Sequence, residues 1–497
     1  MSTNGVNADI LKLSLGLINY KNKYLTAEIF GNKVNVTGNS LKKKQTWTIE
    51  QDPEGESVYL RSHLDRFLTS DRHGNVSCDA EEQGKEEKFL IEPYEDGRWA
   101  FRSMAHGLYL SGNGENMRCF SKMVGKEELW TVHLAMHPQV NLKNVNRKRY
   151  ARWSEEDEEL RVDMNHPWGD DALITLEFRD GKYAIKTCNN KYLHRDGRLV
   201  DDSSEDTDFT LEFRSGKIAL KDRMGKYLTA VGGTATMMTR NNKPGKDELF
   251  VLEDSHPQAV FVANNGRLVS VRQGVDVAAN QDFDEERGES DLETFQMEID
   301  KESGKWSVRT NNDKFWTLKT GGNSGLQATG SQSASLDAQF EIHWLGRQIA
   351  FQASNGRFVA TKLNGQLAAT ADEISDACKF TFKLVNRPLL VLRGSHGFVA
   401  VGKGDRLECH HADYGIFEMI NNDGAYQLKG QDGKFWKMEG ENNVAMSSEG
   451  GTDFLIELRE HSKFCIRAPN DKYLRGEQNG QFRATGTEVN KDTLWEY

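Results

Sequence analysis

A short cassette recurs along the whole chain and limits what the chain can fold into. It consists of a small or polar residue, a lysine or arginine, an aromatic residue and an apolar residue, as in Asn22-Lys23-Tyr24-Leu25. Tyr24 and Tyr473 lie 449 positions apart, so eleven intervals give a mean period of about 41 residues, which is typical of a repeat architecture. The twelve copies, two of them degenerate, are centred on Tyr24, Phe67, Tyr109, Tyr150, Tyr192, Tyr227, Leu268, Phe315, Phe358, Phe398, Phe435 and Tyr473.

Each cassette lies in the same local context, which predicts β-strands. An alternating segment such as 217–220 precedes it, a turn with Gly or Asn follows it, and a segment such as 250–253 closes the unit. Alternation with a period of two, bounded by Gly, Asn and Asp, is the signature of a strand. Helical periodicity is nearly absent, and the best candidates for short helical turns are 125–129 and 245–249. We therefore predict an all-β chain with about four short strands per unit.

A four-stranded unit of this size cannot bury its apolar face alone, so neighbouring units must close on one another. A β-propeller with one unit per blade and a β-trefoil with three units both satisfy this condition, but the Gly-His and Trp-Asp propeller signature is missing. Irregular segments with a proline, at 135–140, 254–258 and 384–388, each follow a third cassette. This spacing favours four tandem β-trefoil domains, each of three four-stranded repeats, at 1–137, 138–257, 258–386 and 387–497.

Within each cassette, the residue types predict a division of roles. The aromatic residue and the apolar residue after it are expected to fill the core. The lysine or arginine is expected to be exposed or to pack its stem over the rim of the domain.

Composition excludes several classes of function. The chain has 64 Lys and Arg against 75 Asp and Glu, a net charge of −11, which disfavours nucleic-acid binding. No apolar run is long enough to cross a bilayer, so no membrane insertion is expected, and the polar residues 1–7 give no sign of a secretory signal. The six scattered cysteines, none in a Cys-x-x-Cys pair, predict reduced thiols in a cytosolic protein.

No motif points to catalysis or to a cofactor. We find no Ser/His/Asp pattern and no phosphate-binding loop, so we expect no enzymatic activity. His410 and His411 follow Cys409 directly. Because no second Cys or His stands at ligand spacing, we interpret them as a surface pair and expect no metal and no cofactor.

Two basic segments stand out against the acidic whole. Ser40 and Leu41 are followed by Lys42, Lys43 and Lys44. This segment is either a solvated turn or a basic patch that docks on an acidic partner and carries a serine that phosphorylation could switch, because a phosphate adds about −1.5 to −2 charges beside three lysines. A second basic cluster, 147–149, opens the second predicted domain and is either a set of exposed cassette positions or a contact.

Longer segments along the whole chain carry a family resemblance: 16–19, 22–28, 40–45, 135–141, 147–151, 211–217, 245–250, 386–388, 392–394, 396–398 and 494–497. In these segments the chain resembles the fascins, which are actin-bundling proteins. The resemblance implies four tandem β-trefoils and a monomer that cross-links F-actin into tight parallel bundles through at least two actin-binding surfaces. It also implies a location in the cytoplasm, at filopodia, microvilli and other projections that contain bundles.

The same resemblance implies site residues. Ser40 corresponds to a serine that a kinase of the protein kinase C type phosphorylates, which weakens actin binding. Arg475 stands where lysine is expected, which keeps the charge but changes the geometry. The implied actin contacts are Lys23, Lys42, Lys43, Lys44, Arg147, Lys148, Arg149, Lys362, His396, Lys403, Lys463 and Arg475.

A sugar-binding trefoil is the alternative to an actin-binding protein. Lectin trefoils repeat Gln-x-Trp in every unit. Here the motif occurs once, as Gln45-Thr46-Trp47, so it indicates a lectin only weakly. The trefoil fold hosts many functions and does not choose between the two.

Overall fold

The structure is a computed structural model that describes residues 12–271, 274–282, 290–319 and 324–497. Residues 1–7, on which the expectation about a secretory signal rests, lie outside these ranges. Within them the chain forms 49 strands, five short 3-10 helices and no α-helix, which confirms the all-β prediction. No helix in the described ranges has the length and apolarity to cross a bilayer. Of the two predicted helical turns, 245–249 contains a 3-10 helix at Lys246–Glu248, and 125–129 forms a turn.

The strands form four antiparallel sheets, one after another along the chain. Sheet 1 contains β1 (Lys12–Ile18), β2 (Tyr24–Ala27), β3 (Val34–Gly38), β4 (Trp47–Gln51), β5 (Val58–Ser62), β6 (Phe67–Ser70), β7 (Val76–Ala80), β8 (Phe89–Pro93), β9 (Trp99–Ser103), β10 (Tyr109–Asn113), β11 (Asn116–Ser121) and β12 (Thr131–Leu134). Sheet 2 contains β13 (Gln139–Asn144), β14 (Arg149–Ser154), β15 (Glu159–Met164), β16 (Ile174–Arg179), β17 (Lys182–Lys186), β18 (Tyr192–Leu193), β19 (Leu199–Val200), β20 (Asp208–Arg214), β21 (Lys217–Lys221), β22 (Tyr227–Val231), β23 (Thr236–Asn241) and β24 (Phe250–Asp254).

Sheets 3 and 4 repeat this order. Sheet 3 contains β25 (Gln258–Ala263), β26 (Leu268–Ser270), β27 (Ala278–Gln281), β28 (Phe295–Ile299), β29 (Trp306–Arg309), β30 (Phe315–Leu318), β31 (Leu326–Gly330), β32 (Glu341–Leu345), β33 (Gln348–Gln352), β34 (Phe358–Thr361), β35 (Leu367–Ala371) and β36 (Phe380–Leu384). Sheet 4 contains β37 (Leu389–Leu390), β38 (Arg393–Gly394), β39 (Gly397–Val401), β40 (Leu407–His411), β41 (Phe417–Asn422), β42 (Ala425–Gly430), β43 (Phe435–Glu439), β44 (Asn443–Ser447), β45 (Leu455–Glu460), β46 (Lys463–Arg467), β47 (Tyr473–Gly476), β48 (Phe482–Gly486) and β49 (Trp495–Glu496). The 3-10 helices are Lys43–Gln45, Lys246–Glu248, Leu336–Ala338, Asp376–Cys378 and Lys403–Asp405.

Each sheet closes into a barrel. In sheet 1, the first and last strands of the three repeats pair in the order β1-β4-β5-β8-β9. The ring closes because β1 also pairs β12, while the backbones of Trp99 and Trp130 exchange two hydrogen bonds of 2.8 Å. In sheet 4 the first barrel strand is split into β37 and β38, which gives this sheet thirteen strands among the described residues. Four lobes of three repeats each are the tandem β-trefoils that the sequence predicts.

The remaining strands form three hairpins per lobe, whose tips meet around a pseudo-threefold axis. In lobe 1, a backbone N–H on the second strand of one hairpin donates to a carbonyl at the tip of another, and three such bonds close a ring. Lobe 3 contains the same ring of three bonds. The bonds of lobe 1 run from Cys78 to Asn32 (3.1 Å), from Cys119 to Gly74 (2.9 Å) and from Val36 to Gly114 (2.7 Å), and those of lobe 3 from Ala328 to Val275 (2.7 Å), from Ala369 to Ser324 (2.9 Å) and from Ala279 to Gly365 (2.7 Å).

The first cassette position turns the chain through the left-handed region. Two residues before the aromatic position, φ is positive in eleven of the twelve copies, as at Asn22 (56°) and Gly225 (76°), and the copy at Phe398 places Gly397 (145°) one residue before it. Gly, Asn and Asp tolerate this conformation best, which explains the small or polar residue. Lys148 (55°) is the exception.

The prediction for the cassette side chains is confirmed in part. The apolar residue is buried in all twelve copies, from Leu25 to Leu474. The prediction that the aromatic residue fills the core is wrong for seven copies, whose rings are only half-buried: Tyr24, Tyr109, Tyr192, Phe358, Phe398, Phe435 and Tyr473. Five cassette tyrosines, three half-buried and two buried, donate their hydroxyl to a glutamate on a barrel strand: Tyr109 to Glu92, Tyr150 to Glu253, Tyr192 to Glu177, Tyr227 to Glu212 and Tyr473 to Glu457.

Contacts within the chain divide it into two compact units. Unit 1 comprises Met1–Asn165 and Ile174–Glu253, and unit 2 comprises His166–Leu173 and Asp254–Tyr497. In unit 1, the buried Tyr183 of lobe 2 accepts a hydrogen bond from Leu134 N (2.8 Å) and donates to Val132 O (2.8 Å), both in lobe 1. The exact boundaries of the four domains stay predictions.

Unit 2 repeats this arrangement. Tyr426 of lobe 4 accepts from Leu384 N (2.9 Å) and donates to Phe382 O (3.3 Å), both in lobe 3. In each unit, a buried tyrosine hydroxyl therefore joins two neighbouring lobes. All six cysteines belong to the described residues and are buried free thiols.

Candidate functional site

The segment around Ser40 links β3 to the 3-10 helix Lys43–Gln45. A Cβ built on Gly16 would lie 2.6 Å from Leu41 Cδ1, so the Leu41 side chain packs directly over the Gly16 backbone and anchors the segment on β1. Ser40 is half-buried beside this anchor, while Lys42 and Lys43 are exposed. The structure thus presents the predicted phosphorylation site and two of the predicted actin contacts on one anchored segment.

The other two lysines of this region differ in how far their charge is compensated. Lys44 Nζ lies 2.8 Å from Glu28 Oε2, and this bond is the main reason that the pKa of Glu28 is lowered. Lys23 Nζ donates to the neutral amide of Asn39, next to Ser40. Lys23, Lys42 and Lys43 form no ion pair within the described ranges, and we call these three residues the lysine patch.

The positive charge of this region affects the pKa of His63. Its pKa is lowered, first by burial and then by the charges of Lys43 and Lys44. A nearby cation disfavours the protonated imidazole, so the charges of Lys43 and Lys44 add to the effect of burial, while Glu28 opposes them. The region is locally basic although the whole chain is acidic.

The cluster 147–149 begins at the turn between β13 and β14. Arg147 Nη2 donates to Ala230 O (3.1 Å) and Gly232 O (3.2 Å), so its guanidinium holds the tip of another hairpin of lobe 2. Lys148 is exposed and Arg149 is half-buried at the start of β14. Arg147 therefore has a structural role, and Lys148 has the most accessible charge of the three.

Lys362 lies in unit 2, at the turn of the hairpin between β34 and β35. Its backbone N–H donates to Gln366 O at 2.9 Å, and its side chain is half-buried. The next residue, Leu363, is fully exposed. The turn presents an ammonium group and an apolar side chain side by side.

In lobe 4 the structure brings two predicted contacts together around a carboxylate. Asp492 Oδ1 lies 3.3 Å from His396 Nε2 and accepts from Ser395 Oγ (3.0 Å), while its Oδ2 lies 3.7 Å from Arg475 Nη2. We call Ser395, His396, Arg475 and Asp492 the Asp492 cluster. Both basic side chains stay partly exposed, at 22% for His396 and 44% for Arg475.

The two remaining contacts of lobe 4 lie apart from this cluster. Lys403 is exposed in the 3-10 helix Lys403–Asp405, which follows the far end of β39 from His396. Lys463 Nζ donates to Glu460 Oε2 at 2.9 Å, so a neighbouring carboxylate compensates its charge. The lobe therefore carries its predicted contacts at several places.

Sequence reasoning missed the partners that orient these side chains. Glu28 and Asn39 follow the first cassette, but nothing in a single sequence marks them as partners of Lys44 and Lys23. Asp492 lies 97 positions from Ser395, and only the fold brings them together. This distance in sequence explains why Asp492 was not predicted as a partner of the basic side chains.

The single lectin-like motif is part of the core. Gln45 Nε2 donates to Thr26 Oγ1 (3.1 Å), and the fully buried Trp47 donates its indole N–H to Leu25 O (3.1 Å). Trp130 and Trp495 make the same bond to Leu110 O and Leu474 O at the ends of lobes 1 and 4. Trp47 thus occupies a position that recurs for packing, and the motif no longer favours a sugar site.

Comparisons with known proteins agree with this structure. The family model described as Fascin domain matches residues 21–132, 140–252, 264–382 and 395–497, one match in each lobe. The chain is 47% identical over 501 residues to Fascin-2 of Bos taurus and equally to Fascin-2 of Homo sapiens, covering 100% of each chain. It is 38% identical to Fascin of Strongylocentrotus purpuratus, covering 98% of this chain and 99% of that one. This chain is a member of the fascin family.

Proposed function

We propose that this protein binds F-actin and, as a monomer, cross-links filaments into tight parallel bundles. The observation that carries the proposal is the lysine patch on unit 1, three cations without an ion-pair partner among the described residues of an acidic chain. The second proposed surface, on unit 2, is formed by His396 and Arg475, which stay partly exposed beside Asp492. An acidic filament attracts local cations even when the net charge is −11, because fields near a surface follow the nearest charges. Lys148 on unit 1 and Lys403 on unit 2 are further exposed cations outside these two groups.

One chain needs two actin-binding surfaces to bundle without dimerising. Once one surface is bound, the second meets its filament at a high effective concentration, which strengthens cross-linking beyond either single contact. The proposed role is structural rather than enzymatic. Its location is the cytoplasm, in the actin cytoskeleton of filopodia, microvilli and similar projections.

Removing or reversing the positive charge of one surface at a time tests bivalency. We expect Lys42→Glu/Lys43→Glu, and separately His396→Ala/Arg475→Ala, to reduce bundling strongly while the surface left intact still binds filaments. Low-speed sedimentation and electron microscopy of actin measure bundling, and high-speed sedimentation measures binding.

The pseudo-threefold symmetry of lobe 1 supplies a matched control for the lysine-patch variant. Lys85 and Lys122 are exposed in the two connections that correspond to the one carrying Lys42 and Lys43. The variant Lys85→Glu/Lys122→Glu makes the same change of charge and should bundle normally. If the lysine-patch variant bundles as well as this control, the proposed surface on unit 1 is wrong.

We further propose that phosphorylation of Ser40 by a kinase of the protein kinase C type switches bundling off. Ser40 precedes Lys42 and Lys43 on the anchored segment, and Asn39 beside it holds Lys23. A phosphate of about −1.5 to −2 charges would offset much of the charge of these three lysines. It would also repel an acidic filament directly.

Substitution at Ser40 tests the switch. Ser40→Asp should lower bundling, whereas Ser40→Ala should preserve it, in low-speed sedimentation at equal protein concentration. Ser331→Asp is the control, because Ser331 follows β31 in lobe 3 as the Ser40 segment follows β3, with no lysine among its next four neighbours. Equal bundling by the two Ser40 variants would refute the switch.

A further inference from the structure

Three side chains of metal-ligand type converge on strand β40 in lobe 4. His411 Nε2 lies 3.1 Å from Glu408 Oε2, and His410 Nδ1 lies 3.9 Å from the same oxygen. One ligand atom from each of the three residues lies within 4.8 Å of the other two. Sequence reasoning considered only the two histidines beside Cys409 and overlooked Glu408, which the strand brings to the same place.

These separations approach those of a coordinated metal. Zinc binds imidazole nitrogen and carboxylate oxygen at about 2.0–2.2 Å, so two ligands of a tetrahedral site lie roughly 3.4 Å apart. The two contacts to Glu408 fall on either side of that value. Small side-chain rotations would therefore bring all three atoms onto one ion.

Glycines make room for the ligands. A Cβ on Gly402 would lie 2.3–2.7 Å from the Glu408 carboxylate, and a Cβ on Gly480 would lie 1.9 Å from His410 Nδ1. Both ligand side chains thus lie against bare backbone, on hairpin turns that any larger residue would fill. Gly480 has φ +92°, a conformation that favours glycine in any case.

The neighbouring thiol takes no part. Cys409 is buried, and its Sγ–H donates to Gln481 O at 3.3 Å. Successive side chains of a strand point to opposite faces, so the thiol points into the lobe and away from the Glu408 and His410 side chains. The donor set is therefore two imidazoles and one carboxylate, with solvent access for a fourth ligand because all three side chains are partly exposed.

We propose that Glu408, His410 and His411 bind one divalent transition-metal ion. Two imidazoles and a carboxylate suit zinc, nickel and copper(II) rather than copper(I) or magnesium. The site lies on a different strand from the Asp492 cluster, and the inference does not depend on the proposed actin binding.

Titration of the full chain with Zn²⁺, in competition with a chromophoric chelator, tests the site. We expect one ion per chain, bound more than about tenfold more weakly by His410→Ala, His411→Ala and Glu408→Gln. His343→Ala is the matched control, because His343 and Glu341 form a similar pair, 3.7 Å apart and two residues apart on β32, without a third ligand among the described residues. This control should leave the affinity unchanged.

Copper(II) provides a second readout that identifies the ligands. The electron paramagnetic resonance spectrum of bound Cu²⁺ should show two imidazole nitrogens in the native chain and one in either histidine variant. Circular dichroism confirms that each variant is folded. Zinc affinity that is equal in all variants, or a copper spectrum that is unchanged by both histidine substitutions, would overturn the proposal.

Discussion

Glu212 shows how single residues hold the outer face of a barrel. Its carboxylate, 3% exposed, contacts Lys221 Nζ (2.9 Å) and Arg214 Nη2 (2.8 Å) and accepts a bond from Tyr227 Oη (3.0 Å). Burial acts to raise the pKa of Glu212, but the bonds to Lys221 and Arg214 outweigh it and leave the pKa lowered. The hydroxyl of the buried cassette tyrosine thus reaches the same carboxylate as the two cations.

Neutralising this carboxylate should destabilise unit 1 in a pH-dependent way. Glu212→Gln leaves Lys221, whose side chain is 14% exposed, without its counter-ion, and we expect a loss of about 3 kcal/mol in the free energy of unfolding at pH 7. Because the folded pKa is lowered, the contribution of the carboxylate is complete above its unfolded pKa and is lost as the pH falls. Urea unfolding should therefore show the gap between native chain and variant narrowing in acid.

Tyr227→Phe is the control for this experiment. It removes one hydrogen bond to the carboxylate, worth about 1.5–3 kcal/mol, and keeps both ion pairs. The loss of unfolding free energy caused by Tyr227→Phe should change less with pH than the loss caused by Glu212→Gln. If the loss of unfolding free energy caused by Glu212→Gln is constant down to low pH, the ionised Glu212 carboxylate does not stabilise the fold as described.

At the scale of the elements, the rings of three backbone hydrogen bonds between hairpins link each repeat of a lobe to the next one. Gly74 occupies one ring position with φ +78°, and a Cβ there would lie 2.8 Å from Cys119 O. That contact is with backbone, which cannot rotate away. The bond from Cys119 N to Gly74 O would have to lengthen to relieve it.

A pair of glycine substitutions separates the ring from ordinary turn strain. Gly107→Ala, with φ +67° and no atom within 4 Å of the new Cβ, should cost about 1–2 kcal/mol for the left-handed conformation alone. Gly74→Ala should cost that amount and about 1–3 kcal/mol more, because it also disturbs a buried hydrogen bond. Thermal unfolding of both variants measures the difference, and equal losses would mean that the ring adds nothing.

At this scale the sequence predicted much of the fold. Period-two alternation predicted the strands. The repeat of about 41 residues and the three proline-containing breaks predicted that three repeats close into one lobe and that the chain has four lobes. The tyrosine–glutamate bonds were not predictable, because nothing in a single sequence marks a glutamate 15–17 positions upstream as the partner, and Glu253 stands 103 positions from Tyr150. The candidate site divides in the same way: Ser40 and its lysines are contiguous, whereas Asp492 and His396 meet only in the fold.

Across the whole molecule, two buried tyrosines occupy equivalent positions in the two units. Burial raises the pKa of Tyr183 and of Tyr426 far above the usual range, so both phenols stay neutral in the folded chain. In the unfolded chain they ionise near pH 10. Since the folded pKa is raised, the stability they contribute is complete below about pH 10 and is lost as the pH rises further.

We therefore expect the melting temperature to fall steeply above about pH 10, with phenolate absorbance of these two residues appearing only on unfolding. Tyr183→Phe should lower the melting temperature at pH 8 and make its further fall in alkali shallower. Tyr20→Phe, at a half-buried position, is the control. Gradual ionisation of every tyrosine before unfolding would contradict the buried hydroxyl bridge.

The tyrosine bridges also have a mechanical consequence. Each hydroxyl donates to one carbonyl of the adjoining lobe and accepts from an amide two residues along the same strand, so neither lobe of a pair can swivel without breaking both bonds. Stiffness within a pair is therefore built into its interior instead of depending on a linker. We therefore expect a pair of lobes to transmit a mechanical force as one rigid body, without a change in the orientation of the two lobes relative to each other.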